Sequence, residues 1–145
     1  MTSEVAAALP RDCRALAEAM DEAGKDLIRR GWGVEPLKGL MEAYRTSALC
    51  WTIRIDGEVA GMFGCAGETG GVGYPWLTTA PALSKARLRF VRQSGRYIDE
   101  MRRRHTSLIS FAHQDNKALI GWLKWSGFEI EGRKGEFMIC VYRRC

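Results

Sequence analysis

The sequence lacks a long apolar run. None of its 145 residues lies in a stretch approaching the roughly 18 consecutive apolar residues of a transmembrane helix. The first twenty positions include Glu4, Arg11, Asp12 and Arg14, where a secretory signal peptide would be continuously apolar. We therefore expect a chain that neither crosses a membrane nor is secreted.

Paired cysteine motifs are also missing. The five cysteines form no C-x-x-C pair, and no histidine lies near them at the spacing of a zinc site. An odd number of cysteines does not indicate a disulfide framework. We expect no bound metal and buried thiols in a reducing cytoplasm, at positions Cys13, Cys50, Cys65, Cys140 and Cys145.

Repeats, low-complexity tracts and linkers are absent too. The glycine-rich stretch from Gly67 to Gly73 is too short to separate domains. With 46% hydrophobic and 27% charged residues, the composition is that of an ordinary folded protein and excludes disordered and collagen-like classes. We expect one domain over residues 1–145.

Hydrophobic periodicity predicts an α+β fold. The first half of the sequence predicts a short strand at 5–9 and two helices that start at Pro10 and Pro36. It then predicts three antiparallel strands, at 49–55, 58–65 and 72–79. The Asp56-Gly57 pair predicts a hairpin between the second and third strands. The second half predicts a long helix at 83–104, a buried strand at 106–112 and a short helix at 116–127 that Asn116 caps. A final hairpin follows, with strands at 129–130 and 137–142.

Two stretches resemble a known superfamily. The segment from Asn116 to Phe128, in which Asn opens a short helix and Gly-Phe closes it, resembles the signature near the end of GNAT acyltransferases. The segment from Leu9 to Leu16 resembles that superfamily's first strand-to-helix junction. The resemblance implies a central mixed, mostly antiparallel sheet of six to seven strands flanked by four helices. It also implies acetyl-CoA as the acyl donor and an amine as the acceptor.

Within that superfamily the chain resembles the podophage internal virion protein A family. The motifs that carry this resemblance are Ser47–Cys50, Asp56-Gly57, Met62–Gly64, Tyr74–Thr79 and Trp122–Phe128. It implies a phage-encoded protein of the host cytoplasm, associated with the virion or not, that works in virion morphogenesis or on a host protein.

Two departures from the GNAT pattern bear on catalysis. GNAT proteins hold the diphosphate of coenzyme A on a glycine-rich turn after the fourth strand, but here the turn from Thr78 to Ser84 has no glycine, and Pro81 has no N–H. A partial match from Arg92 to Arg96 lies inside the predicted long helix.

The second departure is Leu123, seven residues after Asn116, where many GNAT enzymes have a tyrosine that protonates the leaving thiolate. Catalysis is therefore expected to be reduced or lost, and the cofactor is either acetyl-CoA or none. The alternative is a working acetyl-CoA-dependent N-acetyltransferase.

Candidate site residues follow from the same resemblance. His113 and Glu68 are the candidate bases, although a histidine in a turn and a solvated carboxylate are the simpler interpretations. The resemblance places the pantetheine arm of coenzyme A along the fourth strand, beside Trp76, Leu77, Thr78, Thr79 and Asn116. Core packing for Trp76 and helix capping for Asn116 are the alternatives.

A basic stripe follows helical spacing in the long predicted helix, at Lys85, Arg89, Arg92, Arg96 and Arg103. It is either a solvated helix face or a surface for an acidic partner. Phe90 and Tyr97 are the only rings nearby, so a phage or host protein is favoured over single-stranded nucleic acid, which stays open.

Overall fold

A seven-stranded sheet with strand order β1-β2-β3-β4-β5-β7-β6 organises the computed structural model, which describes residues 1–143. Neighbouring strands are antiparallel except β4 and β5, which are parallel. The strands are β1 (Ser3–Ala7), β2 (Ser47–Ile55), β3 (Glu58–Ala66), β4 (Val72–Thr79), β5 (Ser107–His113), β6 (Phe128–Lys134) and β7 (Phe137–Tyr142). The predicted α+β class and mostly antiparallel sheet are confirmed.

The described residues form six α-helices, where the sequence predicted four. They are α1 (Pro10–Ala19), α2 (Glu22–Trp32), α3 (Pro36–Thr46), α4 (Arg87–Gln93), α5 (Gly95–Arg104) and α6 (Lys117–Trp125). The first extra helix is α2, which starts where the Asp21 carboxylate accepts the Gly24 N–H at 2.9 Å. It ends at Gly33, whose φ of 73° suits glycine.

The second extra helix arises because the predicted helix 83–104 is divided. Residues Pro81–Lys85 form a 3₁₀ turn, and Ser94 separates α4 from α5. The Ser94 hydroxyl donates to the Val91 carbonyl at 2.8 Å and accepts the Trp122 indole N–H at 3.0 Å. This side chain therefore competes with the regular helical ladder at the break.

The first strand was placed two residues too late, and β6 was predicted too short. The Leu9 N–H donates to the Asp12 carboxylate at 3.0 Å and the Leu9 carbonyl accepts the Asp12 N–H at 2.9 Å, so the backbone of Leu9 caps α1 and β1 ends before it. The Asp56-Gly57 hairpin is confirmed, with φ of 51° and 84° at the two turn residues.

Each face of the sheet has its own core. Alternate residues of a strand point to opposite faces, so Met62 and Trp76 join the core under α1–α3, whereas Phe63 and Leu77 join the core under α4–α6. The helices α4 and α5 therefore lie on the opposite side of the sheet from α1.

The four described cysteines carry free thiols, and Cys145 lies outside the described residues. Cys13, Cys65 and Cys140 are buried, and Cys50 is partly buried. Burial raises the pKa of the Cys50 and Cys65 thiols to about 12, so neither is a nucleophile at neutral pH. Residues 1–143 contain no cluster of three side chains that could hold a metal ion, and none of their helices could span a bilayer.

Candidate functional site

A cleft opens where the parallel strands β4 and β5 separate. They pair at only two positions, Val72 with Ser107 and Gly73 with Leu108. Pro75 follows on β4, and it has no N–H with which to continue the ladder. Its carbonyl instead accepts the Ser110 hydroxyl at 3.1 Å, which bridges the two strands. Beyond this bridge the cleft runs toward Thr79 and His113.

The β4 edge of the cleft carries unpaired backbone groups. The Ala80 N–H donates to the Ala60 carbonyl at 2.8 Å, which fixes the alternation of hydrogen bonds between β3 and β4. By that alternation the backbone N–H and C=O of Leu77 and Thr79 point away from β3 and into the cleft. They remain available to an extended ligand.

The β5 edge is built in the same way. The Gln114 N–H donates to the Glu136 carbonyl at 2.8 Å, so the backbone groups of Phe111 face away from β7 and toward β4. The cleft thus has hydrogen-bonding backbone on both sides, a consequence of the early end of the β4–β5 ladder.

The predicted cofactor-binding residues line one small cavity at this cleft, of about 60 Å³, together with residues of α2. They are Trp76, Leu77, Thr78, Thr79 and Asn116. Trp76 is also a core residue, and its indole N–H donates to the Ser47 hydroxyl at 2.9 Å. Asn116 also caps α6, because its Oδ1 accepts the Leu119 N–H at 3.2 Å.

His113 lies at the end of β5, buried in the wall of the same cavity. Its Nδ1 accepts the Asp115 N–H at 3.1 Å, which places the proton of the neutral ring on Nε2. Nε2 faces the Glu136 carboxylate at 3.5 Å. A general base needs a free lone pair, and in this arrangement neither ring nitrogen offers one to a substrate.

Glu68 does not lie at the cleft. It is exposed in the turn that leads into the start of β4, and its carbonyl lies 3.0 Å from His105 Nδ1. Strands rise by about 3.3 Å per residue, so the length of β4 separates Glu68 from Thr79 by roughly 20 Å. The expectation that Glu68 could act as a base there is corrected, because the strands are paired, and the cleft closed, at its end of β4.

Leu123 is fully buried in the core under α4–α6. It offers no ionisable group at the position where the GNAT resemblance implies a tyrosine. His113 Nδ1 is occupied by the Asp115 N–H, so neither Leu123 nor this nitrogen can take a proton from a substrate.

The turn after β4 uses its backbone amides internally. The Leu83 N–H donates to the Ala80 carbonyl at 3.0 Å, and the Ala86 N–H donates to the Leu83 carbonyl at 2.9 Å. The Ala80 N–H is held by β3, and Pro81 has none. An anion cradle needs several amides that converge on open space, and four of the seven residues from Ala80 to Ala86 have no N–H to contribute to one.

The partial match from Arg92 to Arg96 provides no cradle either. Ser94 is fully buried, and its N–H donates to the Val91 carbonyl. The Tyr97 N–H donates back to the Ser94 carbonyl at 2.9 Å. The amides at this helix junction are therefore engaged, as expected from the sequence.

A larger cavity, of about 560 Å³, adjoins the cleft between α2, α3 and the separating strands. Five of its sixteen lining residues are aromatic: Trp32, Tyr74, Trp76, Phe111 and Phe137. Trp32, Tyr74 and Phe111 are exposed, an unusual state for large rings. Sequence reasoning missed this cavity and the bridge from Ser110, because both depend on which segments meet in space.

Comparison with solved structures identifies the fold. The PaiA N-acetyltransferase of Thermoplasma acidophilum, solved with coenzyme A, superposes with a TM-score of 0.69 at 14% identity, over 99% of this chain and all of that one. The aminoglycoside acetyltransferase AAC(6')-Ib, also solved with coenzyme A, superposes with a TM-score of 0.68 at 18% identity. The match covers 99% of this chain and 95% of that one. A GNAT-family acetyltransferase of Streptococcus pneumoniae superposes with a TM-score of 0.58 at 12% identity, over 97% of this chain and 96% of that one. The chain has the GNAT fold.

The likeness is one of fold over the full described sheet and its helices. No protein-family model and no curated protein matches this sequence. What the chain does must therefore be argued from the cleft itself.

Coenzyme A, the ligand that the GNAT fold implies, fits this cleft only in part. The open edges of β4 and β5 suit the amide-containing pantetheine arm, which pairs with backbone groups. The turn after β4 suits the diphosphate poorly, because the amides of Ala80, Leu83 and Ala86 are engaged and Pro81 lacks one. The residues present therefore support an arm site without the anion site.

Proposed function

We propose that this chain is a phage-encoded GNAT-fold protein in which acetyl transfer is reduced or lost, and that it works in virion morphogenesis or by binding a host protein. The observation that carries the proposal is the turn from Ala80 to Ala86, in which the amides of Ala80, Leu83 and Ala86 donate to carbonyls of the protein and Pro81 has no N–H. Leu123 and the occupied Nδ1 of His113 support it, because acetyl transfer must move a proton off the amine and one onto the thiolate.

The phage origin rests on the resemblance to podophage internal virion protein A. Residence in the host cytoplasm, with or without association with the virion, follows from the same resemblance. Both belong to the proposal.

An acetyl-transfer assay tests it. Acetyl-CoA is incubated with the protein and, in turn, a polyamine, a lysine peptide and an aminoglycoside, and released thiol is measured. We expect release at the rate of the protein-free control, while an active N-acetyltransferase in parallel shows turnover. Acetylation of any of the three amines above background would overturn the loss of catalysis.

The second candidate is an acetyl-CoA-dependent N-acetyltransferase. The unpaired edges of β4 and β5 and the adjoining aromatic cavity favour it, because they provide neighbouring places for an acyl arm and an amine. In this candidate His113 or a water takes the amine proton. Turnover in the assay that His113→Gln abolishes would establish it.

A further inference from the structure

A strongly basic surface lies on α4 and α5, away from the cleft. Residues 85–104 contain eight of the 22 lysines and arginines but only two of the 17 acidic residues. The basic surface consists of five exposed side chains: Lys85 at the end of the 3₁₀ turn before α4, and Arg89, Arg92, Arg96 and Arg103 of the two helices. The positive charge of the chain is thus concentrated in one place.

Most of this charge is not neutralised within the protein. Arg103 pairs with Glu100 at 3.2 Å, but the other four have no carboxylate within 4.0 Å among residues 1–143. Arg96 donates to the Tyr97 hydroxyl at 3.0 Å and lies 5.0 Å from that ring, which leaves its charge uncompensated. Such a surface attracts an anionic partner.

The apolar content of the surface distinguishes between anionic partners. Protein interfaces have an apolar or aromatic centre, whereas nucleic-acid interfaces are more polar and more positive. Leu88, 60% exposed, is the one large apolar side chain that residues 85–104 expose. The surface therefore suits phosphates better than an acidic protein.

The burial of both aromatic rings near the basic surface favours a duplex over a single strand as its ligand. Phe90 and Tyr97 are 5% and 8% exposed and pack in the core, so they cannot stack on bases. Four of the five charged groups are guanidinium groups, which bind phosphate oxygens in pairs. At about 1.5 Å per residue, α4 and α5 extend over roughly 10 and 15 Å, and along each of these lengths a duplex presents one phosphate per ~1.7 Å.

We propose that the basic surface binds double-stranded nucleic acid through its phosphates, without reading the sequence. This site is on the opposite side of the sheet from α1 and is independent of any acyl-group chemistry. The sequence alone favours a protein partner over single-stranded nucleic acid, whereas the structure favours a duplex.

The test compares two triple variants by fluorescence anisotropy with a 24-base-pair DNA duplex, over a series of salt concentrations. The first variant is Arg89→Gln/Arg92→Gln/Arg96→Gln. The matched control, Arg11→Gln/Arg14→Gln/Lys25→Gln, removes the same charge from α1 and α2. Thermal melting confirms that both variants are folded.

We expect the first variant to bind the duplex about 100-fold more weakly at 0.1 M salt and its salt slope to fall by about 2 to 3, against a few-fold loss for the control. An RNA duplex of the same length reports which kind of duplex binds more tightly, and tighter binding of either supports the proposal. Equal losses in the two variants, or an unchanged slope in the first, would overturn it. So would tighter binding of the single strand, or displacement of the duplex by polyglutamate at equal charge.

Discussion

Replacement of Asp12 with alanine is expected to lower the free energy of unfolding by about 3–5 kcal/mol. The carboxylate is 2% exposed and accepts three hydrogen bonds. The donors are the Leu9 N–H at 3.0 Å, the Thr52 hydroxyl at 2.8 Å and Arg54 Nη2 at 2.7 Å. Asp12 thus joins the start of α1 to β2. Its removal leaves the buried Thr52 hydroxyl and the Leu9 N–H without their acceptor.

Chemical denaturation of the variant measures this loss. Glu18→Ala is the matched control, because Glu18 is an exposed acid on the same helix, and its loss is expected within about 0.5 kcal/mol. Asp12→Asn keeps an acceptor oxygen, so its loss should lie between the two. A loss below about 1 kcal/mol for Asp12→Ala would show that this network does not stabilise the fold.

Replacement of Trp122 with alanine is expected to cost about 3–5 kcal/mol, because it leaves a large cavity in the core. Trp122 is 1% exposed and contacts Phe63 and Phe90 at ring-centroid distances of 5.8 and 6.0 Å. Its indole N–H donates to the buried Ser94 hydroxyl. It thereby fixes α6, the helix that closes one end of the cleft, to the junction of α4 and α5.

The matched control is Trp125→Ala on the same helix, where the ring is 54% exposed. Its loss is expected to be less than half of that for Trp122→Ala. Trp122→Phe should fall between them, since it keeps most of the apolar volume but leaves Ser94 without its donor. Similar losses at positions 122 and 125 would contradict the packing described for α6.

Local chemistry predicted much of the fold. Pro10, Pro36 and Asn116 mark helix starts correctly because each acts through its own backbone or its nearest amides. The break at Ser94 could not be predicted, since it depends on an indole 28 residues away. Burial of Leu123 in the core is likewise decided by tertiary packing.

The site was predicted less completely than the fold. The segment from Trp76 to Thr79 could be placed because a strand after a hairpin is recognisable by its pattern. Glu68 was misplaced because the sequence does not say at which end of β4 the strands separate. Pro75 partly indicates where β4 separates from its neighbour, because a residue without an N–H cannot continue the hydrogen-bond ladder at its position.

The central claim is that the cleft offers an arm site but no site for the diphosphate of coenzyme A. Isothermal calorimetry with acetyl-CoA and with S-acetylpantetheine, which lacks the nucleotide, tests it most directly. The open edges of β4 and β5 and the engaged amides of Ala80, Leu83 and Ala86 predict that both ligands bind and that their dissociation constants lie within about tenfold of each other. Acetyl-CoA binding about a hundredfold tighter than S-acetylpantetheine, with acetyl-dephospho-CoA binding as tightly as acetyl-CoA, would contradict the claim, because the additional affinity would then not come from the 3′-phosphate.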